Sequence, residues 1–152
     1  MASAGDFITG NTAPVAIQTT ARTMLEIIAA SGKPLTLKQI GVSFNGAAAA
    51  AGILCELCYI TATGTGTAQT VRALDQSKAP TISATAKYND TVEPTVSFVF
   101  FSFYVPPSSA DRIILPLDDE FVAPPAAGFG LRVTGAASNV PNCSPWFILN
   151  EA

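Results

Sequence analysis

The sequence predicts an all-β protein, a single-domain antiparallel β-sandwich of jelly-roll-like form. Three observations lead there. Short runs rich in Val, Ile, Phe and Thr recur at intervals of roughly ten residues. Eleven prolines and eleven glycines punctuate them. No segment holds a capped helical apolar period. Short strands at that spacing, separated by turn residues, indicate a sandwich, and about eight of them suit a jelly roll. The 152 residues fit one domain, able to bury roughly two-thirds of its unfolded surface. No linker divides them.

Residues 1–14, MASAGDFITGNTAP, combine small side chains with one Phe7–Ile8 anchor pair and no periodicity. They read as an N-terminal arm ahead of a sandwich domain at 15–152, with a frayed terminus as the plainer alternative. In 15–30, Thr19, Thr20 and Thr23 favour strand, while MLEIIAA would also suit a helical turn. The absence of a clear N-cap selects strand. LTLKQIGVSF, 35–44, alternates, but its phase slips by one residue near Gln39, which predicts a bulge. Asn45-Gly46 and the alanine run read as a close-packed hairpin loop, since five residues between glycines are too few to hold a helix. ILCELCYITAT, 53–63, returns as a strand.

Residues 64–80 are polar and glycine-led, with one helical turn expected at Val71 to Asp75. TISATAKY, 81–88, reads as a half-exposed strand and NDTVEP as the following turn. VSFVFFSFYV, 96–105, is apolar on both of its alternating faces. A strand of a small sandwich normally buries only one. The second face needs a loop of this chain or another subunit to cover it. RIILPL (112–117), the acidic turn Asp118-Asp119-Glu120, FVAPP, GLRVTGAA (130–137) and SPWFILNE (144–151) complete the series.

Charged residues make up only 12% of the chain, about half the usual share, against 49% hydrophobic. A free domain usually keeps more charge on its surface, so much of this surface is expected to lie against neighbours. Eight basic and eleven acidic side chains give a net charge of −3. With no Lys/Arg cluster, nucleic acid is disfavoured as a partner. Prolines and glycines interrupt every uncharged run short of the ~20 apolar residues a membrane helix needs. The N-terminus carries an acid where a signal peptide has a basic region, so the chain is expected to fold where it is made.

The absence of histidine removes the Ser-His-Asp and Cys-His nucleophile pairs and the usual zinc ligand. No phosphate-binding or nucleophile-elbow motif is present, and no catalytic residue, cofactor or metal site is assigned. Cys55 and Cys58 of ILCELC lie three apart on a strand and so face opposite sides. With Cys143 they read as buried thiols, an intersubunit or Cys143-linked disulfide being the alternative. The acidic turn at 118–120 lacks the ligand spacing of a calcium loop and reads as solvated. Trp146 suits core or interface better than a sugar-stacking platform.

One resemblance spans the layout from about Asn11 onward. Tyr104-Val105-Pro106 ends the aromatic strand. Ile113-Ile114-Leu115-Pro116-Leu117, a Pro-rich turn, Gly128-Phe129-Gly130-Leu131-Arg132-Val133-Thr134 and a short Phe-containing strand follow. This order resembles the small all-β virion proteins of tailed bacteriophages, in particular the capsid decoration, or head-cement, type. The resemblance implies a non-enzymatic subunit that trimerises and docks by a terminal arm on the major capsid protein, outside a shell assembled in the host cytoplasm. Interface residues expected on that basis and on apolar character are Phe7, Ile8, Phe101, Phe103 and Trp146. The alternative is a head-fibre or tail module that recognises host glycans.

Overall fold

The computed structural model describes residues 5–11, 13–47, 51–78, 81–136 and 140–152. Regular structure among them is all β: β1 (Asp6–Gly10), β2 (Val15–Ala16), β3 (Arg22–Ile28), β4 (Leu35–Phe44), β5 (Ile53–Ala62), β6 (Thr65–Gln69) and β7 (Arg72–Ala73). After these come β8 (Thr85–Val92), β9 (Thr95–Val105), β10 (Ala110–Ile114), β11 (Phe121–Ala123), β12 (Gly128–Thr134) and β13 (Asn142–Glu151). They form two antiparallel sheets packed face to face, the β-sandwich the strand spacing predicts. The seven-stranded sheet runs β10-β4-β13-β1-β7, with β11 also on β4 and β2 on β13. The six-stranded sheet runs β6-β8-β3-β12-β5-β9. The pairs nest: β1 with β13, β3 with β12, β4 with β10, β5 with β9.

Alternation builds the core. In β13, Cys143, Pro145, Phe147, Leu149 and Glu151 are buried, while the residues between them are half-buried on the outer face. Leu35, Leu37, Ile40 and Val42 of β4 meet Leu25, Leu57, Phe129 and Leu131 of the opposite sheet in one apolar cluster. Burying each such side chain contributes roughly 1.5–3 kcal/mol. The phase slip at Gln39 is a real bulge: Ile148 pairs with Gln39 and Leu149 with Leu37, leaving Lys38 unpaired. The slip keeps Leu37 and Ile40 on the same face.

Several expectations need correction. Residues 6–10 are no arm. They form β1, held between β13 and β7 with Phe7 opposite Leu149 and fully buried. DFITG is too short for its alternation to stand out, yet it has an inward Phe7 and Thr9. β4 and β5 belong to different sheets, so the segment between them crosses the sandwich and is not a hairpin. The alanines at 48–50 lie outside the described residues. Val71 to Asp75 holds β7, paired to β1 and extended by a Leu74 N–H donating to Asp6 O at 2.9 Å, in place of a helical turn. NDTV continues β8 because β6 pairs along it, Thr65 opposite Val92 and Thr67 opposite Tyr88, whereas β3 pairs only with residues 85–88. Asn89 accommodates this at φ 53, a conformation Asn tolerates better than most residues. The turn falls at Glu93-Pro94.

Candidate functional site

Three surfaces carry features beyond core packing. The first is β9, the edge of the six-stranded sheet, paired only to β5. A bulge resolves its two-faced apolar pattern. Leu57 pairs with Phe101 and Cys58 with Val99, so Phe100 is the extra residue. Phe101 and Phe103 therefore oppose the core residues Leu57 and Cys55, while Phe98 stacks on Tyr59 with centroids 5.0 Å apart. Phe100 stacks on Phe121 of β11 at 4.3 Å, and Phe101 reaches the same ring. Much of the second face is thus covered from within. Phe101 and Phe103, expected at an interface, are half-buried against the core; Phe98, Val99 and Tyr104 are the exposed members. Six of the nine large hydrophobics exposed among the described residues lie between Phe98 and Val122, on β9, β10, β11 and the turn between the last two.

The second surface is the outer face of the six-stranded sheet, which the chain itself seals. Glu26 projects there from β3 and accepts from Thr63 Oγ1 at 2.5 Å and from the Gly64 N–H at 3.1 Å. Asp90 of β8 lies against it, and each residue is only 1% exposed. Gly64 and Gly66 make room: a Cβ on Gly66 would fall 2.1 Å from Asp90 Oδ1. No described donor reaches either Asp90 oxygen. Burial, then the charges of Glu26 and Glu93, push the Asp90 carboxyl up to about 8, against a weaker lowering by Lys87. Holding its proton, Asp90 can donate to Glu26, which explains how an acceptor-rich pair survives burial. Nearby, Glu93 accepts from the Thr23 N–H at 2.7 Å and Thr23 Oγ1 at 2.6 Å. Arg132 donates through two nitrogens to Glu56 at 3.2 and 3.0 Å, and that bond raises the Arg132 pKa.

Sequence reasoning misses this network. The available signal is Glu26 alone in the apolar run MLEII. An acid there needs a partner, but Asp90 is 64 positions away in a segment with the chemistry of a turn. A substrate has no route between two carboxyls so enclosed, so the pair acts as structure.

The third surface is the outer face of the seven-stranded sheet, where a cleft of ≈ 470 Å³ opens. Trp146 lies in it, half-buried, with Gly10 and Gly41 as its cross-strand neighbours. The indole fills the space a Cβ on Gly41 would take, that point lying 1.9 Å from Cε2 and 2.4 Å from Nε1. Ile8 and Ile148 pair in the next row and also line the cleft. Of the five residues expected at an interface, Phe7 is in the core, Phe101 and Phe103 share the β9 edge, and Ile8 meets Trp146 here.

The three cysteines are buried and free. Cys55 and Cys143 join the core cluster; Cys58 lies outside it, beside Arg132, Glu56 and Glu93. The CxxC thiols therefore face opposite sides of β5. Burial pushes Cys55 up to about 12 and Cys58 to about 11, and raises Cys143, so all three are poor nucleophiles at neutral pH. Asp118 takes φ 73 and its N–H donates to Glu120 at 3.0 Å, an exposed turn closed on itself. Among the described residues no group of three or more Cys, Asp or Glu is arranged to hold a metal ion. Compared with protein-family models, curated proteins and solved structures, the chain matches none.

Proposed function

We propose that this chain is a non-enzymatic structural protein of a phage particle, most specifically a capsid decoration subunit that binds and stabilises the assembled head from outside. The observation that carries the reading is the β9 edge. Eleven residues, Thr95–Val105, form an uncharged outermost strand, and six of the nine large hydrophobics exposed among the described residues lie on it or within residues 110–122. Proteins usually blunt such edges with charge or proline, because a free strand edge invites pairing with another chain. An edge guarded by neither charge nor proline, and only by its bulges, suits a subunit whose working state is assembled. The nested strand order supports a jelly-roll reading of the sandwich.

The mechanism is mass action. A subunit with affinity only for the closed lattice stabilises that lattice by its own binding free energy, and many shallow contacts on one particle add through multivalency. A homotrimer seated on the major capsid protein is the arrangement proposed, with β9 and its neighbours as contact surface in place of an N-terminal arm. The test mixes purified protein with undecorated phage shells and follows co-sedimentation, with light scattering of the free protein alongside. Saturable, symmetric binding is expected, and Val99→Lys should weaken it at least about tenfold while leaving the melting temperature unchanged. Indifference of shell binding to that lysine, or no binding at all, removes the proposal.

A further inference from the structure

The geometry points to a second, independent binding site: the cleft on the outer face of the seven-stranded sheet, shaped for a short acidic saccharide. Its centre is Trp146. Gly41 on the neighbouring strand lets the indole lie across the sheet instead of standing away from it, and its remaining surface walls the cleft. None of the aromatic pairs among the described residues includes this ring. Ile8 and Ile148 extend the apolar floor beside it. A volume of ≈ 470 Å³ falls in the range of small-molecule sites, roughly 300–1,000 Å³.

Charge identifies the ligand class. Arg112 of β10 pairs with Gly41, in the row of Trp146, and Arg72 of β7 pairs with Ile8, in the row of Ile148. They stand on strands at opposite margins of the sheet, four strand steps or about 19 Å apart at Cα from the usual spacing. Both side chains line the cleft. Neither guanidinium has an ion-pair or hydrogen-bond partner among the described residues, although Arg132 on the other sheet is paired through two nitrogens. Two free forks facing one apolar floor call for a ligand with a C–H face and a carboxylate. A uronic or sialic acid residue has both: its ring rests on the indole and isoleucines, and its carboxylate takes a bidentate bond from an arginine. Gln39 and Ser144, also at the wall, can meet ring hydroxyls. Polyphosphate ligands fit less well, because the cleft offers two cations on a chain of net charge −3.

Trp146 is the only tryptophan, so tryptophan emission, excited beyond the tyrosine absorption band, reports on this cleft alone. The experiment titrates the intact protein with trigalacturonate and with sialyllactose, then with galactotriose, lactose and inorganic phosphate. At least one acidic sugar should give a saturable emission change, with its neutral counterpart at least about tenfold weaker and phosphate silent. By calorimetry, at least one of Arg112→Gln and Arg72→Gln should weaken the acidic sugar by about tenfold with unchanged thermal midpoints, and indifference to both overturns the assignment. Trp146→Phe should abolish binding. Because both arginines are exposed, their variants keep the test open even if Trp146→Phe misfolds. Silence with both acidic sugars, equal affinity for neutral and acidic forms, or the same response to phosphate alone overturns the assignment. None of these readouts depends on shell binding.

Discussion

The two outer faces of the sandwich start from the same strand alternation and end in opposite states. On the six-stranded sheet, Thr63 and Gly64 bond to Glu26 and Asp90 of β8 lies against it, leaving two carboxyls at 1% exposure. On the seven-stranded sheet Trp146 lies in an open cleft, and among the described residues neither Arg72 nor Arg112 has a side-chain partner. Glycine is used on both faces but differently. Gly64 and Gly66 admit a buried acid, whereas Gly41 admits an aromatic ring at the surface. A face that spends its polar groups on one another becomes structure. One that leaves them free remains able to bind.

The largest expected effect separates the faces by pH. Asp90 ordinarily titrates at 3.8 but here is pushed up to about 8, so the folded protein holds a proton that the unfolded chain releases. Its contribution is complete below about pH 4 and is lost as pH rises through about 8, at most about 1.4 kcal/mol per unit. Asp90→Asn keeps the shape and offers Glu26 a neutral donor. Urea midpoints at pH 5 and pH 9 should diverge less in the variant than in the parent, with Glu26, Glu93 and Lys87 still facing the site. An identical pH slope would mean that the Asp90 proton plays no part.

A smaller effect is expected from Gly66→Ala, whose Cβ meets Asp90 Oδ1 at 2.1 Å and Tyr88 O at 2.8 Å. The strand backbone cannot yield easily, so about 1–3 kcal/mol of stability should be lost, as read by urea unfolding. Smallest is Gly41→Ala. There the obstacle is the far edge of an indole that can swing into the open cleft, so a loss of about 1 kcal/mol or less should accompany a red-shifted Trp146 emission. Equal losses at Gly66 and Gly41 would erase the distinction between a sealed face and an open one.

Legibility follows the range of the interactions involved. The bulge beside Gln39 can be read because the apolar phase of 35–44 slips within one strand. The divergence of Cys55 and Cys58 needs only strand period. The bulge at Phe100 leaves no such mark, because every position from Phe98 to Phe101 is apolar and conceals a change of phase. Asp90 is hidden for another reason: NDTVEP has turn chemistry, and pairing with β6 carries its first four residues on as strand. The cleft is least visible of all. Arg72, Arg112 and Trp146 lie far apart in sequence, and strand order alone assembles them on one face.

Strand β1 sits in the interior of its sheet, and its neighbour β13 arrives long after it; the Asp6 and Asn150 side chains that bond at 3.2 Å are 144 residues apart. A growing polypeptide adds roughly 5–20 residues per second, so Phe7 must wait on the order of ten seconds for the partner that takes it out of water. Pairing across such a span makes folding slow. During synthesis the molecule's greatest hazard is therefore its earliest strand, which stays exposed until the ribosome has delivered the closing one.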